Sequence, residues 1–212
     1  HDDQHGTAIV TLAAIINACR ITGLQLKQSK MGQVGLGAAG SAIARLALAY
    51  GVGQVLVTDR SPEAMAPLIE AGAVASDLDS ILREADVVVC TTGKVGLIKP
   101  EQVRPGQVIF ALSNPYPEID PDVARAAGAA YAADGASINN ALAFPGIFKG
   151  ALLTRSRTIA PQMFVAAAEA IARCAPEGEV VPSQLDPGVH NAVCDAVAQC
   201  ARELGLENTA VL

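Results

Sequence analysis

The sequence contains no tryptophan, and aromatic residues make up only 3% of its 212 positions. Such a chain has little with which to stack bases or line an aromatic cage, so its core must come from Ala, Val, Leu and Ile. Charge is scarce at 17% and leans negative: 15 Lys and Arg face 21 Asp and Glu, a net charge of -6. That balance argues against nucleic acid as a partner, because phosphate binding needs a basic surface. A hydrophobic fraction of 51% excludes disorder. The apolar stretch near the start, Thr7 to Cys19, holds Asn17 and is too short to span a bilayer. No basic head followed by an apolar run marks a signal peptide, so no membrane partner is expected. The five cysteines form no Cys-x-x-Cys pair. They read as small buried hydrophobes of a reduced, cytoplasmic protein.

What is present is a regular alternation of short apolar runs and helical segments. Thr7 to Cys19 reads as a buried helix with Thr7 as N-cap, closing near Gly23. Gln33 to Gly37 reads as a strand running into a turn, Ala38 to Tyr50 as a helix, and Gln54 to Thr58 as a second strand. Ser61-Pro62-Glu63 opens a further helix. Asp86 to Cys90, Gln107 to Leu112 and Ala129 to Ala133 complete five strands, and from Ile159 the pattern is helical, ending in a long amphipathic helix over Pro187 to Leu204. Apolar strands without alternation, spaced by helices, indicate a parallel sheet buried on both faces. The expected fold is α/β, a doubly wound Rossmann-type parallel sheet with helices on both faces, with residues 1–212 forming a single domain.

The clearest motif is Gly35-Leu36-Gly37-Ala38-Ala39-Gly40, placed after a strand and at the opening of a helix. Gly35 permits a tight turn, Gly37 lets backbone approach a pyrophosphate, and Gly40 lets helix and strand pack closely. The helix start offers free N–H groups and a positive dipole end. Alone, this pattern is weak and serves equally as a tight turn. Here the second strand ends at Asp59, an acid placed to accept hydrogen bonds from the adenine ribose. The carboxylate favours NAD over NADP, although Arg60 follows at once and can pair with a 2′-phosphate.

Other segments carry residue types suited to chemistry. His1-Asp2-Asp3-Gln4-His5 has two adjacent carboxylates able to bind Mg²⁺ or Mn²⁺ through oxygen, too few alone for a full shell and equally a solvated terminus. Ser113-Asn114-Pro115 follows the fourth strand, and Asn139-Asn140 sits in a similar loop; each amide can orient a ligand or cap a turn. Thr91-Thr92-Gly93-Lys94 follows the third strand and can line the same cleft, with Lys94 read as a solvated loop residue. The chain opens on His within a polar cluster, which suggests a piece of a longer protein.

Taken together, these segments resemble malic enzymes. The matching stretches are His1 to Ala8, Gly35 to Gly40, Ala111 to Pro115, Pro117 to Asp120, Asn139 to Phe148 and Pro182 to Val189. Of these, Asp2-Asp3-Gln4-His5-Gly6-Thr7-Ala8 and Asn139 to Phe148 are the specific ones. The resemblance implies oxidative decarboxylation of L-malate to pyruvate and CO₂, with hydride passing to NAD or NADP and Mg²⁺ or Mn²⁺ bound. By motif it assigns Asp3 as a metal ligand and Asp2 as its neighbour in the metal and substrate site. It assigns Thr7, Gly35, Gly37, Ala38, Ala39, Gly40 and Asp59 to the dinucleotide, and Arg60 and Thr92 join them as candidates on their place beside Asp59 and after the third strand. Asn114 and Asn140 would orient nicotinamide and malate. It implies a homo-oligomer in the full-length protein. The departure is an amino-terminal domain, expected to carry a Tyr and a Lys as acid and base and further metal ligands, that has no counterpart here. A malolactic-type domain and a non-catalytic dinucleotide-binding module remain as alternatives.

Overall fold

A computed structural model describes residues 1–208 of the chain. The chain divides into two compact units, one of residues 1–17 with 139–208 and the other of residues 18–138. The sequence alone suggests a single one.

The second unit is a six-stranded parallel sheet. Its strands are β1 (Lys30–Val34), β2 (Gln54–Thr58), β3 (Val74–Ala75), β4 (Val87–Cys90), β5 (Val108–Ala111) and β6 (Tyr131–Asp134), in the spatial order β3-β2-β1-β4-β5-β6. In β4 and β5 every residue is buried. Successive side chains of a strand point to opposite faces, so both faces of the sheet are covered, as the unbroken apolar runs require. The crossover helices are α2 (Ala38–Tyr50), α3 (Pro62–Glu70), α4 (Leu78–Glu84) and α5 (Pro121–Ala126). The order reverses between β1 and β4, which opens a crevice beyond their carboxyl ends.

One strand and three α-helices of the described chain are not anticipated by the sequence pattern: β3, α4, α5 and the later helix α6 (Gly146–Leu153). The first three are short, and α6 starts at a glycine, so none shows a full hydrophobic period. The first strand also sits earlier than expected, over Lys30–Val34 rather than Gln33 to Gly37, because Gly35 takes φ +87° and leaves the extended region. Thr7 is not an N-cap. A π-helical turn over Asp2–Gly6 runs directly into helix α1 (Thr7–Thr22), so Thr7 already has helical φ and ψ. The continuous helical segment Asp2–Thr22 is 21 residues long and apolar enough to cross a membrane by length, which corrects the shorter span expected from the sequence. Its apolar window is 72% buried in the fold, as expected of a core helix.

The first unit is helical. It holds α6, α7 (Pro161–Cys174) and α8 (Pro187–Glu203) with the start of α1. Asn17 is buried, and its amide donates to the carbonyls of Ala172 at 2.8 Å and Val180 at 3.1 Å. The stripe Val189, Val193, Val197 and Ala201 of α8 is buried at helical spacing. Two glycines let α6 approach it. A Cβ on Gly146 would lie 2.8 Å from the His190 carbonyl, and one on Gly150 would lie 2.6 Å from the Cys194 carbonyl and 2.8 Å from Val197. Gly150→Ala should therefore destabilise the chain by about 1–3 kcal/mol through overpacking. Thermal unfolding that shows an unchanged midpoint would contradict this packing.

Candidate functional site

The loop after β1 enters the crevice at the point where the strand order reverses. Its three glycines have three different surroundings. A Cβ on Gly35 would meet the Thr91 carbonyl oxygen at 2.8 Å, and its φ is in the left-handed region. A Cβ on Gly40 would overlap the Gly35 carbonyl oxygen and lie 2.5 Å from Thr91 Oγ1. Gly37 has an ordinary φ of −64°, and a Cβ there would have nothing within 4 Å. Two glycines are thus required by the protein's own packing, and the third keeps space open in front of α2. The first N–H groups of α2, from Ala38, Ala39 and Gly40, have no carbonyl partner within the helix, and its first turn holds no acid. That combination suits a phosphate.

The wall opposite is built from Asp59 and the loop after β4. Asp59 Oδ2 accepts the Leu36 N–H at 2.7 Å, and Oδ1 accepts the Ser61 N–H at 2.9 Å. The carboxylate therefore ties the glycine loop to the end of β2, a task the sequence does not reveal. Both oxygens keep a further lone pair for a ligand hydroxyl. The bonds from Ser61 and Leu36 hold its pKa below the ordinary 3.8. Arg60 beside it is exposed. Gly35, Gly37, Asp59, Arg60, Thr92 and Lys94 line one cleft of about 700 Å³. The carboxyl end of β5 carries exposed Asn114, whose amide lies against Gly135: a Cβ there would be 2.8 Å from Asn114 Nδ2.

The residues that sequence reasoning missed lie beneath this surface. Buried Gln33 donates to the Gly35 carbonyl at 3.0 Å, as does the Thr91 hydroxyl. Buried Glu118 accepts hydrogen bonds from Thr92 and Ser113. Periodicity carries no signal for a buried polar residue in a strand or loop.

Two family models match the chain. The D-isomer specific 2-hydroxyacid dehydrogenase NAD binding domain matches residues 7–95, and the malic enzyme NAD binding domain matches residues 126–205. The chain is 58% identical to the NAD-dependent malic enzyme 1 of Bacillus subtilis over 95% of its own length and 46% of that protein. It is similar to the solved structure of the malic enzyme from Pyrococcus horikoshii, with a TM-score of 0.87 at 35% identity, covering 100% of this chain and 56% of that one. Over nearly its whole length the chain is similar to malic enzymes, and within them to the NAD-binding part. It spans about half the length of the curated relatives it matches.

The other residues that the malic enzyme resemblance assigns lie in the helical unit. Asp2 and Asp3 are exposed in the π turn, and Thr7 follows as the first residue of α1. Asn140 Nδ2 donates to Asp2 Oδ2 at 2.7 Å, so these two are brought together. Gly6 makes that contact possible, since a Cβ there would lie 2.6 Å from Asp2 Oδ1. Asn139 instead stabilises its own turn, accepting the Ala141 N–H at 2.9 Å. Among the described residues no group of three His, Cys, Asp or Glu side chains is placed to hold a metal. Two carboxylates, one of them already held by Asn140, do not complete a divalent cation's shell. The donors among the described residues therefore do not by themselves make a metal site.

Gly37 and Gly40 should separate on substitution. Gly37→Ala should cost less than about 1 kcal/mol of stability, as an N-cap change in open space, while weakening NAD⁺ at least about tenfold by filling the pyrophosphate's place. Gly40→Ala should lower the thermal midpoint as well; calorimetry and thermal unfolding on both variants check the contrast. Asp59 also sets a pH dependence. Its folded pKa is depressed, so its stabilisation is complete above 3.8 and is lost as the pH falls through the folded value. The stability gap between the native chain and Asp59→Asn should therefore close in strong acid, and a gap constant with pH would contradict the assignment.

Proposed function

We propose that this chain is the cofactor-binding part of an enzyme that oxidatively decarboxylates L-malate to pyruvate and CO₂, with NAD as the hydride acceptor. The observation that carries the reading is the open space at Gly37 between two glycines locked by packing, facing the start of α2 and the Asp59 carboxylate. Bound NAD supplies the hydride acceptor. The residues of this chain bind and orient it. The α2 amides take the pyrophosphate, Asp59 accepts from the adenine ribose hydroxyls, and Thr92 and Asn114 border the nicotinamide end. NAD is favoured over NADP because the Asp59 carboxylate places a negative charge where a 2′-phosphate would lie. Arg60, exposed beside it, is the group that would accept the phosphate instead.

Malate is placed with the Asp2 and Asn140 pair, where a carboxylate and an amide already share a hydrogen bond. Asp3 and Asp2 would contribute to a Mg²⁺ or Mn²⁺ site whose remaining ligands come from outside this chain. The proton-transferring groups would likewise lie in the length of its relatives that this chain does not span, and the whole protein would form a homo-oligomer. The five free thiols are consistent with a cytoplasmic protein. Burial pushes the Cys19 thiol up to about 12 and Cys90 well above its ordinary value, so neither is a nucleophile.

Parallel calorimetric titrations test the reading. NAD⁺ should bind saturably and at least about tenfold more tightly than NADP⁺, with Arg60→Ala weakening NADP⁺ alone. Equal affinities would reassign the 2′ position to Arg60, and no binding of either would overturn the cofactor site. The chain alone should give no malate-dependent NADH. Such a signal would show that it carries the catalytic groups itself.

A further inference from the structure

Glu118 is fully buried, at 0% exposure, and no cation faces it among its hydrogen-bond partners. It stands between the loops that follow β4 and β5. Oε1 accepts the Thr92 N–H at 2.7 Å, the Thr92 hydroxyl at 2.7 Å and the Ser113 hydroxyl at 2.5 Å; Oε2 accepts the Ser113 N–H at 3.3 Å. Each hydroxyl also accepts a backbone N–H. Gly93 donates to Ser113 Oγ at 2.8 Å, and Lys94 donates to Thr92 Oγ1 at 3.1 Å.

These directions are forced. A backbone N–H can only donate, so the hydroxyls of Ser113 and Thr92 accept from Gly93 and Lys94, and the proton of each is free to lie along its contact with Glu118 Oε1. The N–H groups of Thr92, Gly93, Lys94 and Ser113 are therefore all occupied by the protein's own oxygens. Along this wall of the cleft no amide donor is left for a ligand from 92 to 94, whereas the α2 start offers several. A phosphate thus finds backbone donors at α2 and none from 92 to 94, where Lys94 is the charged side chain in the cleft lining, and the wall formed by the β4 and β5 loops is left for a ligand part that needs no backbone donor.

From this we infer that Glu118 is a positioning residue for the nicotinamide nucleoside half of the cofactor, acting through Thr92, Ser113 and the backbone between them. It touches no ligand itself. The inference rests on the dinucleotide reading of the cleft and adds to it a division of labour: Asp59 and the glycine loop hold the adenine half, and Glu118 shapes the wall for the other.

The test compares NAD⁺ with ADP, which lacks the nicotinamide nucleoside. Both are titrated into the native chain, Glu118→Ala and Glu118→Gln. Glu118→Ala should weaken NAD⁺ by about tenfold and ADP by no more than about twofold. Glu118→Gln keeps one carbonyl acceptor for Thr92 and Ser113, so its loss for NAD⁺ should be nearer about threefold. A role confined to stability would weaken both ligands together or neither, and either result overturns the inference. If Glu118→Ala does not fold, the ratio for Glu118→Gln decides on the same terms. A native chain that binds ADP and NAD⁺ equally well would overturn this inference and leave the adenine site standing. One that binds neither would remove the dinucleotide reading as well.

Discussion

The cofactor cleft depends on the close approach of the α2 start to the Gly35 carbonyl. Gly40 sits where any side chain would overlap that oxygen, and the same oxygen accepts from Gln33 and from the Thr91 hydroxyl. A carbonyl that points into the protein and is satisfied there leaves the following amides to point out. The loop is consequently held from below by two hydrogen bonds to that carbonyl and from the side by Asp59. A rigid loop of this kind meets its ligand without having to order itself first, which is the main saving a preorganised site makes on binding.

A second regularity is the use of side-chain acceptors to choose which N–H groups remain available. Asp59 takes the amide of Leu36, immediately before Gly37. Glu118 and the hydroxyls it orders take those of Thr92, Gly93, Lys94 and Ser113. The α2 start keeps its donors. The cleft is thus asymmetric in hydrogen-bonding character although the chain is acidic overall, and an anionic ligand part has one preferred place in it. In the helical unit, Asn140 likewise holds the Asp2 carboxylate, a contact between segments far apart in the sequence.

Much of the sheet unit is legible in the sequence. Helix α2 and strand β2 fall on the residues expected, Ala38–Tyr50 and Gln54–Thr58, because Gly, Asp and apolar runs mark their ends without ambiguity. The glycine motif is readable because each position needs a missing side chain. The short elements β3, α4 and α5 are not, since too few residues repeat for a period to show. The membrane question also escapes a count of apolar residues. The segment from Asp2 to Thr22 passes on length and hydropathy, and only its burial in the fold answers it.

The sequence by itself determined a parallel sheet buried on both faces, a dinucleotide loop after its first strand, and Asp2, Asp3, Asn114 and Asn140 as points of interest. These are local matters of periodicity, of side-chain volume at glycine and of motif. Tertiary structure alone decided that Asp59 braces the loop it was expected only to accompany, that Glu118 orders two loops, and that Asp2 meets Asn140. The reason is that an acceptor is recognised by the donors around it. Those donors come from segments up to 138 residues apart in the sequence, as for Asn140 and Asp2, and folding alone brings them within hydrogen-bond reach.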